Sequence, residues 1–196
     1  MVQWVYACVI METAELDTRD RLITTAAALF RQKGYHGTGL TEILVAANAP
    51  KGSLYHHFPD GKSDLAMAAA DWASKGMLQI IADSFEPADS YQHGATTLCH
   101  KLAKFFDISG GWNGCPVGSA LFDGPGNETF RQKAEEIYGR WIRAVEYHAI
   151  RLGEREDASA EMAETLLLAI QGSWVLARAR NNSDSLRKIP SRLFRG

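Results

Sequence analysis

Residues 38–62, TGLTEILVAANAPKGSLYHHFPDGK, leave this chain few folds to choose from. Leu40, Ile43, Leu44 and Ala47 recur at three- and four-residue spacing, which gives a short helix one apolar face. Thr38 is placed to cap its start by accepting from an orphan backbone N–H. Asn48 stands where the chain must reverse, and Asn tolerates the left-handed conformation better than most residues. Pro50 suits the opening turn of a second helix, where its missing N–H is not needed. On that second helix only Leu54 and Phe58, four apart, look inward, and Pro59 stops it. Lys51, Ser53, His56 and His57 are left facing out, with Tyr55 beside them.

Two helices joined by a tight turn are a common object, and a helical hairpin with a merely solvated polar face fits the same spacing. What separates the readings is the exposed face of the second helix. A helix that lies in a DNA major groove needs short polar side chains, a cation and little bulk at its N-terminal end. KGSLYHH supplies them: Lys51 for charge, Gly52 for close backbone approach, and Ser53 to donate or accept. Tyr55, His56 and His57 can reach phosphate oxygens or base edges.

From about residue 18 to residue 65 the chain resembles the DNA-binding domain of the tetracycline-repressor (TetR) family. The resemblance is carried by Ala28-Leu29-Phe30, Lys33-Gly34-Tyr35, Thr38, Ile43, Ala46-Ala47, Lys51 through Phe58, Lys62 and Leu65. It implies a helix-turn-helix repressor whose DNA-binding residues are Thr38, Lys51, Gly52, Ser53, Tyr55, His56, His57 and Lys62, the last on a phosphate. Asn48 stands where many relatives have glycine, Gly39 where a hydroxyl is frequent, and Pro50 where a capping hydroxyl is often found. Further on, the GCPVG segment resembles the LmrA/YxaF-type branch of TetR regulators.

The rest of the chain is consistent with such a regulator. Its 196 residues allow a DNA-binding head and one further helical domain, and a hydrophobic content of 46% supports a packed core. The net charge of −2 excludes a generic polyanion binder. Residues 17–62 nevertheless hold six Lys/Arg against four Asp/Glu, while the segments on either side are net negative. A modestly basic head suits specific DNA binding through shape and a few phosphate contacts. Three cysteines, Cys8, Cys99 and Cys115, form no disulfide framework and no metal-like spacing, which points to a reducing, cytoplasmic setting. No run of eighteen apolar residues exists, so no membrane span is expected. Gly61-Lys62-Ser63 looks like the end of a phosphate-binding loop, but His56 occupies the position where the first glycine is required.

The expected architecture is all-α: an extension over 1–16, a three-helix helix-turn-helix domain over 17–62, and a helical ligand-binding and dimerisation domain over 63–196. Residues 2–10 are apolar but too short for a bilayer and lack a signal peptide's features; they read as an upstream extension or as an arm packed on the body or a partner. Asp17 caps a helix to about Lys33 that buries Leu22, Ile23, Ala26, Leu29 and Phe30, with Gly34 ending it. A helix over 63–82 carries Leu65, Ala69, Trp72, Gly76 and Ile80 on one face and is the natural lever between head and body. Another spans 91–108. Six glycines and two prolines within 109–127 forbid one continuous helix there, leaving a short helical turn at 117–122. A helix over 128–152 places Phe130, Ala134, Ile137, Trp141, Val145, His148 and Leu152 on one stripe. The next, over 158–178, is apolar across an arc wide enough for burial on two sides. The resemblance implies dimerisation through these two helices. Residues 181–196 read as a short helix or a frayed tail.

Aromatic density in the body points to a small-molecule site built from Phe105, Trp112, Cys115, Phe122, Tyr138, Trp141 and Trp174, since Trp and Tyr offer apolar walls with polar tips. The competing reading for each is core packing. The partners implied are an operator duplex, a small hydrophobic or aromatic inducer and a second copy of the chain, with no cofactor, no metal and no membrane. Catalysis is not expected: Cys99 and His100 are adjacent on a helix and point about 100° apart, and no acyl-transfer or metal signature frames them. The remaining alternative is a helical protein without operator binding that binds a small molecule or senses redox through the Cys115 thiol, although the flanks of Cys115 carry no activating charge.

Overall fold

A computed structural model describes residues 16–111, 113–122 and 127–194. The apolar segment 1–15 therefore lies outside the described residues, as does Trp112. All regular structure among the described residues is helical. The helices are α1 (Thr18–Gly37), α2 (Leu40–Ala46), α3 (Lys51–His57), α4 (Lys62–Phe85), α5 (Tyr91–Ile108), α6 (Pro116–Leu121), α7 (Glu128–Arg151), α8 (Glu156–Arg180), α9 (Asp184–Arg187) and α10 (Ile189–Leu193). They group into two compact units. The first is the chain up to Gly76 together with Gly114–Glu135, and the second is Met77–Asn113 with Glu136–Gly196. The boundaries fall inside α4, between α5 and α6, and inside α7.

In the first unit α1 is the scaffold. Asp17 caps it by accepting from the Asp20 backbone N–H at 2.8 Å. Leu22, Ile23, Ala26, Ala27 and Phe30 are buried, while Leu29 is only half-buried. Gly34 (φ 73°, ψ 171°) breaks the helical path, and a last turn follows it to Gly37. Only glycine adopts that combination cheaply. Helices α2, α3 and α6 all pack on α1, and the Gly114 N–H donates to the Arg31 carbonyl at 3.1 Å. Pro116 sits in the first turn of α6, where it costs no hydrogen bond.

The buried stripe of α4 differs from the expected one. Leu65, Ala66, Ala69, Ala70 and Ala73 are enclosed with Ser74, and farther along Ile81, Ser84 and Phe85, whereas Trp72, Gly76 and Ile80 are half-buried. A run of alanines lets the helix turn its small face inward for close packing, which leaves the large Trp72 at the margin. On α7 the expected stripe holds from Phe130 through His148, with Ala149 buried and Leu152 half-buried.

In the second unit, Phe85 is fully enclosed, stacked on His148 at 5.5 Å and 15° and tilted against Tyr91 at 5.8 Å. Tyr91 donates its hydroxyl to the Met162 carbonyl at 3.0 Å, and Arg151 donates to the Phe85 carbonyl at 2.7 Å. The C-terminal segment is docked rather than frayed. Leu186 and Ile189 are buried, Ser185 donates to the Ser173 carbonyl at 2.9 Å, and Arg187 pairs with Asp107 at 2.7 Å. Along α8 a buried stripe runs through Ala163, Leu166, Ile170, Ser173, Trp174 and Ala177. Leu168, Val175 and Leu176 are instead exposed, at 65%, 65% and 41%.

His148 is 6% exposed, and its Nδ1 is buried without a hydrogen-bond partner among the described residues. Burial holds its pKa below the ordinary 6.5, Arg151 pushes the same way, and Glu86 opposes them. Above about pH 6.5 the imidazole is neutral in both folded and unfolded chains. Below that, the unfolded chain takes up a proton that the folded one resists, so stability falls. Urea midpoints measured from pH 7.5 down to 5 are expected to drop for the natural chain, and a His148→Phe variant to flatten that decline.

Candidate nucleic-acid interface

The first three helices assemble around one side chain that periodicity does not reveal. Arg21, in the first turn of α1, donates through Nε to the Ala47 carbonyl at 3.2 Å and through Nη2 to the Asn48 carbonyl at 3.4 Å. Its Nη1 holds the Leu16 carbonyl at 2.9 Å. One guanidinium thus ties the start of α1 to the turn between α2 and α3, using its fixed fork of donors. Its signal in the sequence is slight: a cation next to buried Leu22. In that turn Asn48 has φ 47°, the left-handed conformation expected of it. Pro50 stands one residue earlier than expected, as the N-cap of α3 rather than in its first turn, with ψ 148°.

Helix α3 buries Leu54 and Phe58 and exposes the remainder of its polar side. Lys51, Gly52, Tyr55, His56 and His57 are exposed and Ser53 is half-buried, so the part of α3 away from Leu54 and Phe58 is accessible. The imidazoles of His56 and His57 meet edge to face at 5.0 Å, and Arg19 lies over the Phe58 ring at 5.7 Å. Lys51 has no carboxylate partner among the described residues. Beside the surface, Lys33 and Glu42 form an ion pair that holds the Glu42 carboxyl below its ordinary range. Pairing mutes an acid that would otherwise repel a polyanion.

Thr38 is placed differently. It is 1% exposed, and its hydroxyl donates to the Gly34 carbonyl at 2.8 Å. The N-cap of α2 is Gly39, which makes no side-chain capping bond. The expectation that Thr38 caps α2 is therefore corrected. The break at Gly34 turns its carbonyl toward the threonine, and a buried hydroxyl takes that acceptor. Thr38 belongs to the frame beneath α2 rather than to the accessible surface.

Lys62 opens α4, with its Nζ 4.3 Å from the centre of the Tyr35 ring. Burial lowers its pKa, and it makes no ion pair among the described residues. The preceding Gly61 has φ 65°, and a Cβ there would lie 3.4 Å from Cε1 of Tyr55. The turn that delivers Lys62 thus abuts α3.

The aromatic side chains expected around a small molecule divide between the units. Phe105, Tyr138, Trp141 and Trp174 belong to the second, and Cys115 and Phe122 to the first. Phe105 lies 6.2 Å from Trp174, and Tyr138 meets Trp141 edge to face at 5.3 Å. Trp141 and Trp174 are buried, the latter donating its indole N–H to the Asn113 carbonyl at 3.0 Å, whereas Phe105 and Tyr138 are half-buried. Phe122 is 53% exposed. Among the described residues, no group of three or more His, Cys, Asp or Glu side chains is arranged to hold a metal, and no helix is long and apolar enough to cross a membrane.

Residues 22–69 match the family described as bacterial regulatory proteins, tetR family. Residues 93–192 match the C-terminal domain of LmrA/YxaF-like transcriptional regulators. The chain is 32% identical over 176 residues to the HTH-type transcriptional regulator LmrA of Bacillus subtilis, covering 89% of this chain and 94% of that one. Among solved structures, the reduced form of NemR from Escherichia coli superposes with a TM-score of 0.78 at 21% identity, over 91% of this chain and 96% of its own. A CifR cysteine mutant complexed with 26-bp double-strand operator DNA gives 0.73 at 22% identity, over 88% of this chain and 93% of its own. These relatives are regulators rather than enzymes. A three-helix head with an exposed polar recognition surface, together with family matches over residues 22–69 and 93–192, makes this chain a DNA-binding transcriptional regulator of the TetR family, in its LmrA/YxaF-like branch.

Proposed function

We propose that the chain is a ligand-responsive repressor that works as a homodimer in the cytoplasm. Two copies of α3 would read half-sites about 34–36 Å apart on a palindromic operator. The observation that carries this reading is the surface of α3, where Lys51, Gly52, Ser53, Tyr55, His56 and His57 stand together over a buried Leu54–Phe58 pair. Residues 17–62 form the DNA-binding domain in this reading, and residues 63–196 bind ligand and the second copy. Binding to the duplex upstream of the chain's own coding region, measured at 50 and 200 mM salt, tests it. About six to ten phosphate contacts would cost 10³–10⁵-fold in affinity across that range. Salt-insensitive or absent binding to that duplex would count against it.

Dimerisation is supported by the apolar stripe that α8 leaves uncovered. Leu168, Gly172, Val175 and Leu176 follow helical spacing and are all exposed, and Tyr147 and Ile150 on α7 are exposed at 64% and 42%. Apolar stripes of this kind mark contact surfaces. A Leu168→Glu, Val175→Glu variant is expected to run as a monomer in sedimentation analysis with its helicity unchanged. A variant that stays dimeric would place the contact elsewhere.

The inducer we propose is a small hydrophobic or aromatic molecule in contact with Phe105, Tyr138, Trp141 and Trp174. Aromatic density supports this, while the burial of both tryptophans supports a core role for those two. Such a ligand can only weaken DNA binding by its differential affinity for two states, typically about 1–3 kcal/mol. Loss of ligand affinity in a Phe105→Leu variant, with its fold intact, would support the site, and unchanged affinity would remove Phe105 from it.

A further inference from the structure

Lys62 is an odd residue to find at the first position of a 24-residue helix. The N-terminus of a helix carries partial positive charge, so a cation there is disfavoured and an acid is normal. Asp64 supplies the acid of that first turn and accepts from the Asp60 backbone N–H at 2.9 Å, and Lys62 itself pairs with no carboxylate among the described residues. Departures from local preference of this sort gather at functional sites. What holds the ammonium is the face of Tyr35, at 4.3 Å. A cation over an aromatic face is attracted by the ring quadrupole and uses no hydrogen bond in doing so. The N–H donors of Lys62 therefore stay available to an oxygen anion.

The ring is itself held. Tyr35 is tilted against Phe30 at 5.7 Å, meets His36 edge to face at 5.1 Å, and meets Phe130, in the first turn of α7, edge to face at 5.3 Å. Phe30 and Phe130 are 0% and 5% exposed. The break at Gly34 swings Tyr35 out of line with α1 to reach them. A lysine chain is normally free to sample many rotamers, and fixing it before binding removes part of the ordering cost that a phosphate contact would carry.

We propose that Tyr35 is a positioning residue of the DNA interface, its ring face aiming the Lys62 ammonium at a backbone phosphate while Phe130 fixes the ring. The inference rests on the reading of α1 to α3 as the operator-binding head. It makes the first turn of α7, which is distant in sequence, part of what sets affinity for DNA.

The test is a double-variant cycle in the full chain, with affinity for the chain's own upstream duplex measured by fluorescence anisotropy from 50 to 300 mM KCl. Lys62→Gln is expected to weaken binding about tenfold and to lower the salt slope by about one. Tyr35→Leu is expected to weaken it about threefold, and Tyr35→Phe, which keeps the ring face, to match the natural chain. Tyr35→Leu with Lys62→Gln should bind no worse than Lys62→Gln alone. Additive losses, or a Tyr35→Phe variant as weak as Tyr35→Leu, would overturn the inference. Where Tyr35→Leu does not fold, Phe130→Leu replaces it in the same cycle with the same expectations. If the natural chain binds and Tyr55→Ala abolishes binding while Lys62→Gln changes nothing, the inference fails and the operator reading stands. If the natural chain shows no salt-dependent binding, that reading falls, and the inference with it.

Discussion

Truncating Phe85 to alanine is expected to lower the unfolding free energy by about 3–5 kcal/mol, the range for removing a fully enclosed phenylalanine. For a chain of this size that corresponds to a fall in Tm of roughly 6–20 °C. The ring is 0% exposed and touches His148 on one face and Tyr91 along another. Gly94 closes the third side: a Cβ there would lie 2.2 Å from Cδ1, 2.6 Å from Cε1 and 2.8 Å from Cγ of Phe85. None of these neighbours is a flexible chain end that could yield. Gly94→Ala should therefore also destabilise, by about 1–3 kcal/mol from overpacking. The two effects share one volume and cannot add. In the Phe85→Ala background the Gly94 methyl enters the vacated space, and its cost is expected to vanish. Thermal and urea unfolding of the four proteins measures the coupling. A full Gly94→Ala penalty in the Phe85→Ala background would show that the ring is not what excludes a side chain there.

The second large effect concerns DNA. A Tyr55→Ala, His56→Ala variant is expected to lose upstream-duplex affinity by about 100-fold or more, taking each side chain as one contact of about 1–3 kcal/mol. Stability should move little, because Tyr55 is 45% exposed and His56 is exposed, and substitutions at such positions usually stay within about 0.5 kcal/mol. A Tyr55→Phe variant separates two roles. The ring keeps its place against Gly61, so a loss there isolates the hydroxyl. Leu54→Ala would mislead, since it removes a core side chain and weakens binding through unfolding. Anisotropy titration together with circular dichroism distinguishes these outcomes, and unchanged affinity in the double variant would move the contact surface away from α3.

The head was largely legible because its chemistry is local. Leu54 and Phe58 are one helical turn apart, Asn48 sits at the turn between α2 and α3, and Asp17 precedes its helix by one residue. Where contacts join distant positions, the sequence carries no such mark. Arg21 reaches Ala47 and Asn48 across the head, and Lys62 finds Tyr35 across two intervening helices. Neither pair shares a period. On α4 the run of alanines is compatible with any face, so Trp72 drew the expected stripe toward itself although it lies at the margin. The wide apolar arc of α8 was visible in the sequence, but not the division between its buried Leu166–Trp174 side and its exposed Leu168–Val175 side. Aromatic density in the body was visible as well, but the division of Cys115 and Phe122 from Phe105, Tyr138, Trp141 and Trp174 follows from chain topology.

That topology has a consequence for biosynthesis. The compact unit containing α1 to α3 also contains α6 and the first two turns of α7, contributed by Gly114–Glu135. At about 5–20 residues per second, translation leaves an interval of seconds between completion of the recognition helix and emergence of the segment that packs on α1 and Tyr35. During that interval the nascent head exposes apolar surface that its own later sequence must cover. A nascent chain held with residues up to 76 clear of the ribosome should accordingly resist protease poorly and bind DNA weakly, and one held with residues up to 135 clear should do better on both counts. The DNA-reading end, although first to be made, is finished only when the middle of the chain arrives.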